Sequence, residues 1–222
     1  IHPKRGLVSP GDFIPIAEET GLILALGEWV IMTACNQIRS WLEQGLIFDL
    51  KYISVNVSPK QFRQNDFTEI VAKAIDDTRI PPSLLSIEIT ESVAIDNLDD
   101  TIDKMSHLRK KGISISIDDF GTGYSALSYL NKLPINQLKI DRSFVTGITD
   151  ESSFASIVST IIVMAKSMGF SVVAEGVETT DELNFLFEKE CRIFQGFYFS
   201  PPMPGENFQE LLKKNEPLKK KK

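Results

Sequence analysis

Cysteine is scarce: only Cys35 and Cys191 occur in 222 residues, far apart and in no metal-ligand spacing. This argues against a disulfide framework, and both read as reduced, partly buried thiols of a cytosolic protein. Long apolar runs are missing too. The longest, Ile157 to Ala165, is interrupted by Ser159 and Thr160 and followed by Lys166, too short and polar for a membrane span. No signal peptide is visible at the N-terminus. No Gly-rich dinucleotide loop follows a first strand, and no solenoid-type repeat is evident.

Positive charge is also short where it would matter. Residues 213–222 carry six lysines and one glutamate, so the remaining 212 residues hold 18 basic against 29 acidic side chains, a body charge of −11. Such a body is a poor match for a nucleic-acid polymer, which needs a basic footprint. An anionic substrate would need metal ions to supply much of the positive charge. The Lys219–Lys222 run reads as a solvated tail, and His2, beside Pro3, as a loop residue.

What is present is a soluble globular composition, 42% hydrophobic and 24% charged, long enough for one sizeable domain. Ser9-Pro10-Gly11-Asp12 reads as a helix start with Phe13, Ile16 and Ala17 on one face and Gly21 as the stop. A longer helix is expected from Leu26 to Gln44, its stripe made by Val30, Ala34, Ile38, Trp41 and Leu42. Then strands and helices alternate. Strands are expected at 51–57, 84–90, 113–119, 137–141, 170–174 and 194–199. Helices are expected at 60–78, 98–111, from Ser125, at 151–168 and at 180–189. The 151–168 stripe comprises Phe154, Ile157, Val158, Ile161, Ile162, Ala165 and Met168. Such alternation argues for parallel βαβ units. About six units can be counted, where a closed (β/α)₈ barrel needs eight.

The central stretch is Ile113-Ser-Ile-Ser-Ile-Asp-Asp-Phe-Gly-Thr-Gly-Tyr-Ser125. A strand here ends in adjacent carboxylates, Asp118 and Asp119, which repel each other unless a cation holds both ionised. A hard divalent ion such as Mg²⁺ or Mn²⁺ takes oxygen ligands of this kind. Taken alone, the segment reads equally well as a solvated Asp/Gly turn. Other strand ends tip the balance: Asn56, Glu88, Lys139 with Asp141, and Glu175. On a barrel those ends converge on one face. Buried charges must be paired or bind metal, so the series favours a metal site over scattered ion pairs. Shared carboxylates can bring two cations to about 3.5–4 Å, an arrangement that activates water and clamps a phosphate. A lysine there could orient or help deprotonate the water and stabilise charge on phosphate. These patterns imply a metal-assisted barrel enzyme without choosing its substrate.

The motifs Asn56-Val-Ser58, Glu88-Ile-Thr-Glu91, Asp118-Asp-Phe-Gly-Thr-Gly-Tyr-Ser125, Leu138-Lys-Ile-Asp141, Ala174-Glu-Gly-Val-Glu178 and Gln195-Gly-Phe-Tyr-Phe-Ser200 together resemble the successive motifs of EAL domains, bacterial cyclic di-GMP phosphodiesterases. Pro10-Gly-Asp-Phe-Ile14 and Ala17-Glu-Glu-Thr-Gly-Leu22 resemble the segment just after that family's signature. The resemblance implies an α/β fold, the TIM-type (β/α)₈ barrel with one antiparallel strand. It also implies two Mg²⁺ or Mn²⁺ ions and hydrolysis of cyclic di-GMP to linear 5′-pGpG. By the same resemblance Asn56, Glu88 and Asp118 match ligands of one metal, and Asp118, Asp119 and Glu175 those of the other. Lys139 matches the lysine holding the nucleophilic water, and Gln195 a polar residue on that water. With Glu175 they make the expected catalytic set. Glu91 matches the glutamate that steadies the loop after the Asp-Asp strand, and Asp141 and Glu178 match supporting or substrate-side positions.

The resemblance has a departure. The Glu-Ala-Leu signature would lie just before residue 1, and with it the first strands, one ligand glutamate and an arginine expected to touch substrate phosphate. The expectation is therefore an N-terminally incomplete barrel domain over residues 1–212 with a lysine-rich tail over 213–222, weakly active or inactive by itself. A homodimer, an upstream sensory or GGDEF-type domain, and a cytoplasmic location, with the full-length parent free to be membrane-tethered, complete the picture. A non-catalytic cyclic di-GMP receptor or interaction module is the competing class. The intact set Glu88, Asp118, Asp119, Lys139, Glu175 and Gln195 argues against it. An enolase-type barrel with a lysine base would leave the Asp-Asp-Phe-Gly-Thr-Gly and Glu-Gly-Val-Glu motifs without a reason.

Overall fold

The computed structural model describes residues 2–47, 50–121, 127–149 and 153–214. Two helices open the chain, α1 (Pro10–Thr20) and α2 (Leu22–Glu43), hinged at Gly21, whose φ of 78° is the left-handed conformation that ends α1. Six units follow: β1 (Ile53–Asn56) with α3 (Pro59–Phe62) and α4 (Phe67–Thr78); β2 (Leu85–Thr90) with α5 (Glu91–Asp96) and α6 (Leu98–Lys110); β3 (Ser114–Phe120) with α7 (Leu127–Leu130); β4 (Gln137–Ile140) with α8 (Arg142–Val145) and α9 (Ala155–Ser167); β5 (Ser171–Ala174) with α10 (Thr180–Glu188); and β6 (Ile193–Phe194) with α11 (Gly205–Lys214). The strands form one sheet in chain order, β1 to β6, every neighbouring pair parallel. The sheet curls into a half barrel. The antiparallel strand that the resemblance implies is not among these six.

Along the regular parts of the strands, side chains are sorted by face. Val55, Leu85, Ile87, Ile89, Ile115, Ile117, Leu138, Ile140, Val172 and Ala174 are buried and join helix residues such as Ile38, Val71, Met105, Val158 and Leu186 in one core. The alternate positions point the other way. They read Tyr52, Ser54 and Asn56; Ser86, Glu88 and Thr90; Ser114, Ser116 and Asp118; Gln137, Lys139 and Asp141; then Ser171, Val173 and Glu175. Only Val173 among these is aliphatic, so the convex face is a dry core and the concave face a polar surface.

Several element boundaries differ from the sequence expectation. The helix expected at 60–78 is two helices: Ser58 and Gln61 form a capping box around Pro59, and the chain turns before Phe67, whose ring lies 5.4 Å from that of Phe62. The strand expected at 194–199 is only Ile193–Phe194. In α1 only Ala17 is buried, Phe13 and Ile16 being exposed. The α2 stripe runs through Ile23, Gly27, Ile31, Cys35, Ile38 and Trp41, leaving Val30, Ala34 and Leu42 at its edges. In α9, Val158, Ile161, Ile162 and Ala165 are buried, whereas Ile157 is exposed and Phe154 packs edge-on against Phe144. The helix start expected at Ser125 lies outside the described residues. Cys35 and Cys191 are both buried and free, and burial pushes the Cys35 thiol up to about 11. No described helix is long and apolar enough to cross a membrane.

Glu182 braces the loop after β5. One carboxylate oxygen accepts the Gly147 N–H at 2.8 Å, and the other accepts those of Glu178 and Thr179 at 2.8 and 2.9 Å. Burial acts to raise its pKa, but these bonds outweigh it and hold the carboxyl below its ordinary range. A carboxylate with a lowered folded pKa contributes stability above its unfolded pKa and loses it as pH falls through the folded one. Glu182→Gln should therefore cost about 2 kcal/mol near neutral pH. Urea denaturation at neutral pH and at about pH 3 should show the gap from the unsubstituted chain narrowing in acid.

Candidate active site and metal centre

Lys139 lies at the centre of the concave face, 3% exposed. Its Nζ is 2.6 Å from Glu88 Oε2 on β2, 3.2 Å from Asp118 Oδ1 on β3, and 2.6 Å from Glu175 Oε1 just after β5. Burial is the strongest single influence on this ammonium and opposes its charge. The three carboxylates together outweigh it, so the pKa is raised and the lysine stays cationic.

Asp118 and Asp119 would point to opposite faces of a regular strand. Here they do not, because β3 carries an irregularity. Ile117 pairs with Leu138 and Phe120 with Ile140, so one extra residue is inserted between the two pairings. Asp119 takes it up with a φ of +54°, its N–H donating to Asp118 Oδ1 at 3.1 Å. The result is that carboxylate oxygens of Asp118, Asp119 and Glu175 lie within 4.8 Å of one another. Burial first, and then the neighbouring Asp118 and Asp141, raise the pKa of Asp119. Glu175 is raised chiefly by burial, against the pull of Lys139. Asp141 goes the other way. Its carboxylate caps α8 by accepting the Ser143 N–H at 2.9 Å, and bonds from Ser143, Arg142 and Asp119 overcome burial to lower its pKa.

The remaining sequence candidates are placed less centrally. Asn56 ends β1 as the register partner of Glu88 and is exposed. Glu91 is buried at the start of α5, where it accepts the Gly121 N–H at 3.3 Å and the Tyr129 hydroxyl at 2.7 Å. It thus holds both flanks of 122–126, which lie outside the described residues. Gln195 follows β6, its N–H donating to Ala174 O and its carbonyl accepting the Val177 N–H, which keeps it beside the loop carrying Glu175. Glu178 is exposed and outside the cluster. The sequence reading passed over Gln137, Ser116 and Tyr52, which make a hydrogen-bonded group on the same face. The step of two from Lys139 back to Gln137 was the available signal.

The cluster suits a hard divalent cation by its own chemistry. Three carboxylates are crowded together beside one lysine, and burial first, then the neighbouring carboxylates, raises the pKa of two of them. Oxygen-only donors of this kind take Mg²⁺ or Mn²⁺.

Comparison with known proteins agrees with this architecture. A family model described as EAL domain matches residues 1–202. The signaling protein YkoW of Bacillus subtilis is 43% identical over 212 residues, covering 96% of this chain and 26% of YkoW. The bifunctional diguanylate cyclase/cyclic di-GMP phosphodiesterase MucR of Pseudomonas aeruginosa is 44% identical over 205 residues, 92% of this chain and 30% of MucR. The chain therefore spans about a quarter to a third of these curated relatives. A solved structure of the MucR phosphodiesterase in complex with c-di-GMP superposes with a TM-score of 0.89 at 43% identity, covering 93% of this chain and 83% of that one. Its TIM-barrel-like fold is the one seen here.

Because Asp119 carries like-charge repulsion when metal-free, Asp119→Asn should raise the melting temperature of the metal-free chain; Asn tolerates the positive φ. The same change should abolish most of the thermal stabilisation produced by Mn²⁺. Differential scanning calorimetry with and without the ion reads both effects. A metal-free melting point that falls, with the Mn²⁺ response intact, would refute the assignment.

Proposed function

The chain belongs to the EAL domain family, and from that premise we propose that it is a divalent-metal-dependent phosphodiesterase that cleaves cyclic di-GMP to linear 5′-pGpG. The observation that carries the reading is the junction of Lys139 with Glu88, Asp118 and Glu175, adjoining the Asp118–Asp119–Glu175 group. MucR, solved in complex with c-di-GMP, is the relative that supports the substrate class. Charge supports it as well: four carboxylates around one lysine repel a phosphodiester unless cations intervene.

Asn56, Glu88 and Asp118 would hold one ion, and Asp118, Asp119 and Glu175 the other. Bound there, the ions would lower the pKa of water and neutralise charge on phosphate. The chain's own residues do the positioning. Asp118 belongs to both groups and fixes their spacing. Lys139, kept as an ammonium, donates hydrogen bonds to the attacking water and to a phosphate oxygen; it is a poor proton acceptor in that state. Gln195 supplies a neutral partner for the same water. Attack of the water oxygen on phosphorus breaks the bond to one 3′ oxygen, a proton of that water ends on the leaving oxygen as a hydroxyl, and the ring opens with a 5′-phosphate. Asp119 and Asp141 share a hydrogen bond, with burial and the neighbouring carboxylates pushing the pKa of Asp119 up while backbone and side-chain bonds hold that of Asp141 down.

Incubation of the chain with cyclic di-GMP and Mn²⁺ should yield 5′-pGpG, resolved by ion-exchange chromatography. Glu175→Gln should lower turnover by about two decades or more, the scale of losing a ligand or a proton acceptor. Substrate binding, followed by calorimetry in Ca²⁺, should be largely kept. Turnover by Glu175→Gln equal to that of the unsubstituted chain would defeat the proposal, and binding without any turnover would favour a receptor.

A further inference from the structure

A row of polar side chains lies one layer towards the strand starts from Lys139 and Asp118, and apart from Glu88 it has no part in the chemistry above. Glu88, Ser116, Gln137 and Ser171 are successive register partners across β2 to β5. Ser116 Oγ donates to Gln137 Oε1 at 3.2 Å, and Gln137 Nε2 donates to Ser171 Oγ at 3.1 Å. The Ser86 and Ser116 hydroxyls are 3.4 Å apart. Each of these bonds joins adjacent strands, as side chains on one face of a sheet do.

One bond does not. The Tyr52 hydroxyl, on the residue before β1, donates to Gln137 Oε1 at 3.0 Å on β4. Three strand spacings separate β1 from β4, about 14 Å in a flat sheet, where side chains stand side by side and do not converge. The pair can meet only across the hollow of a curled sheet, as a chord of its arc. Gln137 is 5% exposed, and its amide oxygen takes two donors while its nitrogen gives one bond. A buried amide satisfied on both sides specifies one geometry, because any other leaves it unpartnered.

We propose that the Tyr52–Gln137 chord sets the curvature that brings Asn56 and Glu88 round towards Asp118 and Glu175. This makes Tyr52 and Gln137 positioning residues for the metal-holding set. The inference rests on the metal reading given above. Tyr52 is four residues before Asn56 on the same face of the strand, and Gln137 two before Lys139, so the chord ties together the two arms of the arc that carry the site. Losing it opens the arc at β1 while leaving the β3 irregularity, and hence the Asp118–Asp119 pair, as it was.

The test is titration calorimetry with Mn²⁺ alone, no substrate, on the unsubstituted chain, Tyr52→Phe, Gln137→Leu and the double variant, with metal-free melting temperatures in parallel. Tyr52→Phe removes one hydroxyl and keeps the ring. It should weaken Mn²⁺ binding about tenfold, the low end of what supporting residues contribute. Its metal-free melting point should fall by only a few degrees. The double variant should bind no more weakly than Gln137→Leu, since one bond cannot be lost twice. Unchanged Mn²⁺ affinity in Tyr52→Phe, or losses that add in the double variant, overturns the chord while leaving the metal reading standing. An unsubstituted chain that takes up no Mn²⁺ overturns both.

Discussion

An ammonium buried among carboxylates from three other strands is the constraint to which this half barrel answers. Removing a charge from water costs several kcal/mol, repaid only by close and well-directed partners. Lys139 has three, at 2.6, 2.6 and 3.2 Å. They come from β2, from β3 and from the residue after β5, so the ends of four strands must converge on one point. Parallel pairing in chain order with a consistent curl provides that convergence, whereas a doubly wound sheet would divide these ends about a switch point. The pairing is also unbalanced. One lysine cannot neutralise Glu88, Asp118 and Glu175 together, and Asp119 adds a further charge, so the fold assembles a local excess of negative charge that only cations relieve.

That excess is tolerable because stability comes from the other side of the sheet. Parallel sheets covered on both faces usually read as nearly unbroken apolar runs. Here the strands alternate instead: Leu85, Ile87 and Ile89 face the helices, while Ser86, Glu88 and Thr90 face the hollow. The same division holds through β3, β4 and β5. The helices α4, α6, α9 and α10 bury the convex face, and the concave face makes little apolar contribution. Polar substitution there is restrained chiefly by hydrogen-bond satisfaction, which explains how serines, a glutamine and a tyrosine occupy positions that other barrels fill with branched aliphatics.

Sequence pattern disclosed much of this and missed the rest for definable reasons. Strand centres and the run Asn56, Glu88, Asp118, Asp119, Lys139, Glu175 were legible because each is a polar residue in or just after the second half of an aliphatic strand. The split of the 60–78 helix was hidden because the segment contains no Gly or Pro to mark a break. The break shows only in the Ser58–Gln61 capping box and the Asn65-Asp66 turn. The α2 stripe was offset by one residue because Gly27, an interior position with the Gln61 side chain packed against it, carries no hydrophobic signal. Phe13, Ile16 and Ile157 were assigned to buried faces because hydrophobicity alone does not say whether a partner is present. The Tyr52–Gln137 bond links residues 85 apart and follows from curvature, which no local pattern encodes.

The two parts of the metal-holding set are organised by different means, and this bears on how the site behaves. Asp118, Asp119 and Glu175 already converge without an ion. Their approach is fixed by backbone: an inserted residue in β3, a positive φ at Asp119, and Gly121 at φ 101° just beyond, where a methyl group would come within 3.1 Å of Phe144. Such an arrangement changes only if the strand is rebuilt. Asn56 and Glu88 depend on side chains and on the arc of the sheet, and Glu88 is engaged with Lys139. Glu88 meets Lys139 through Oε2, so Oε1 is the oxygen it would offer a cation while keeping the ion pair that fixes its side chain.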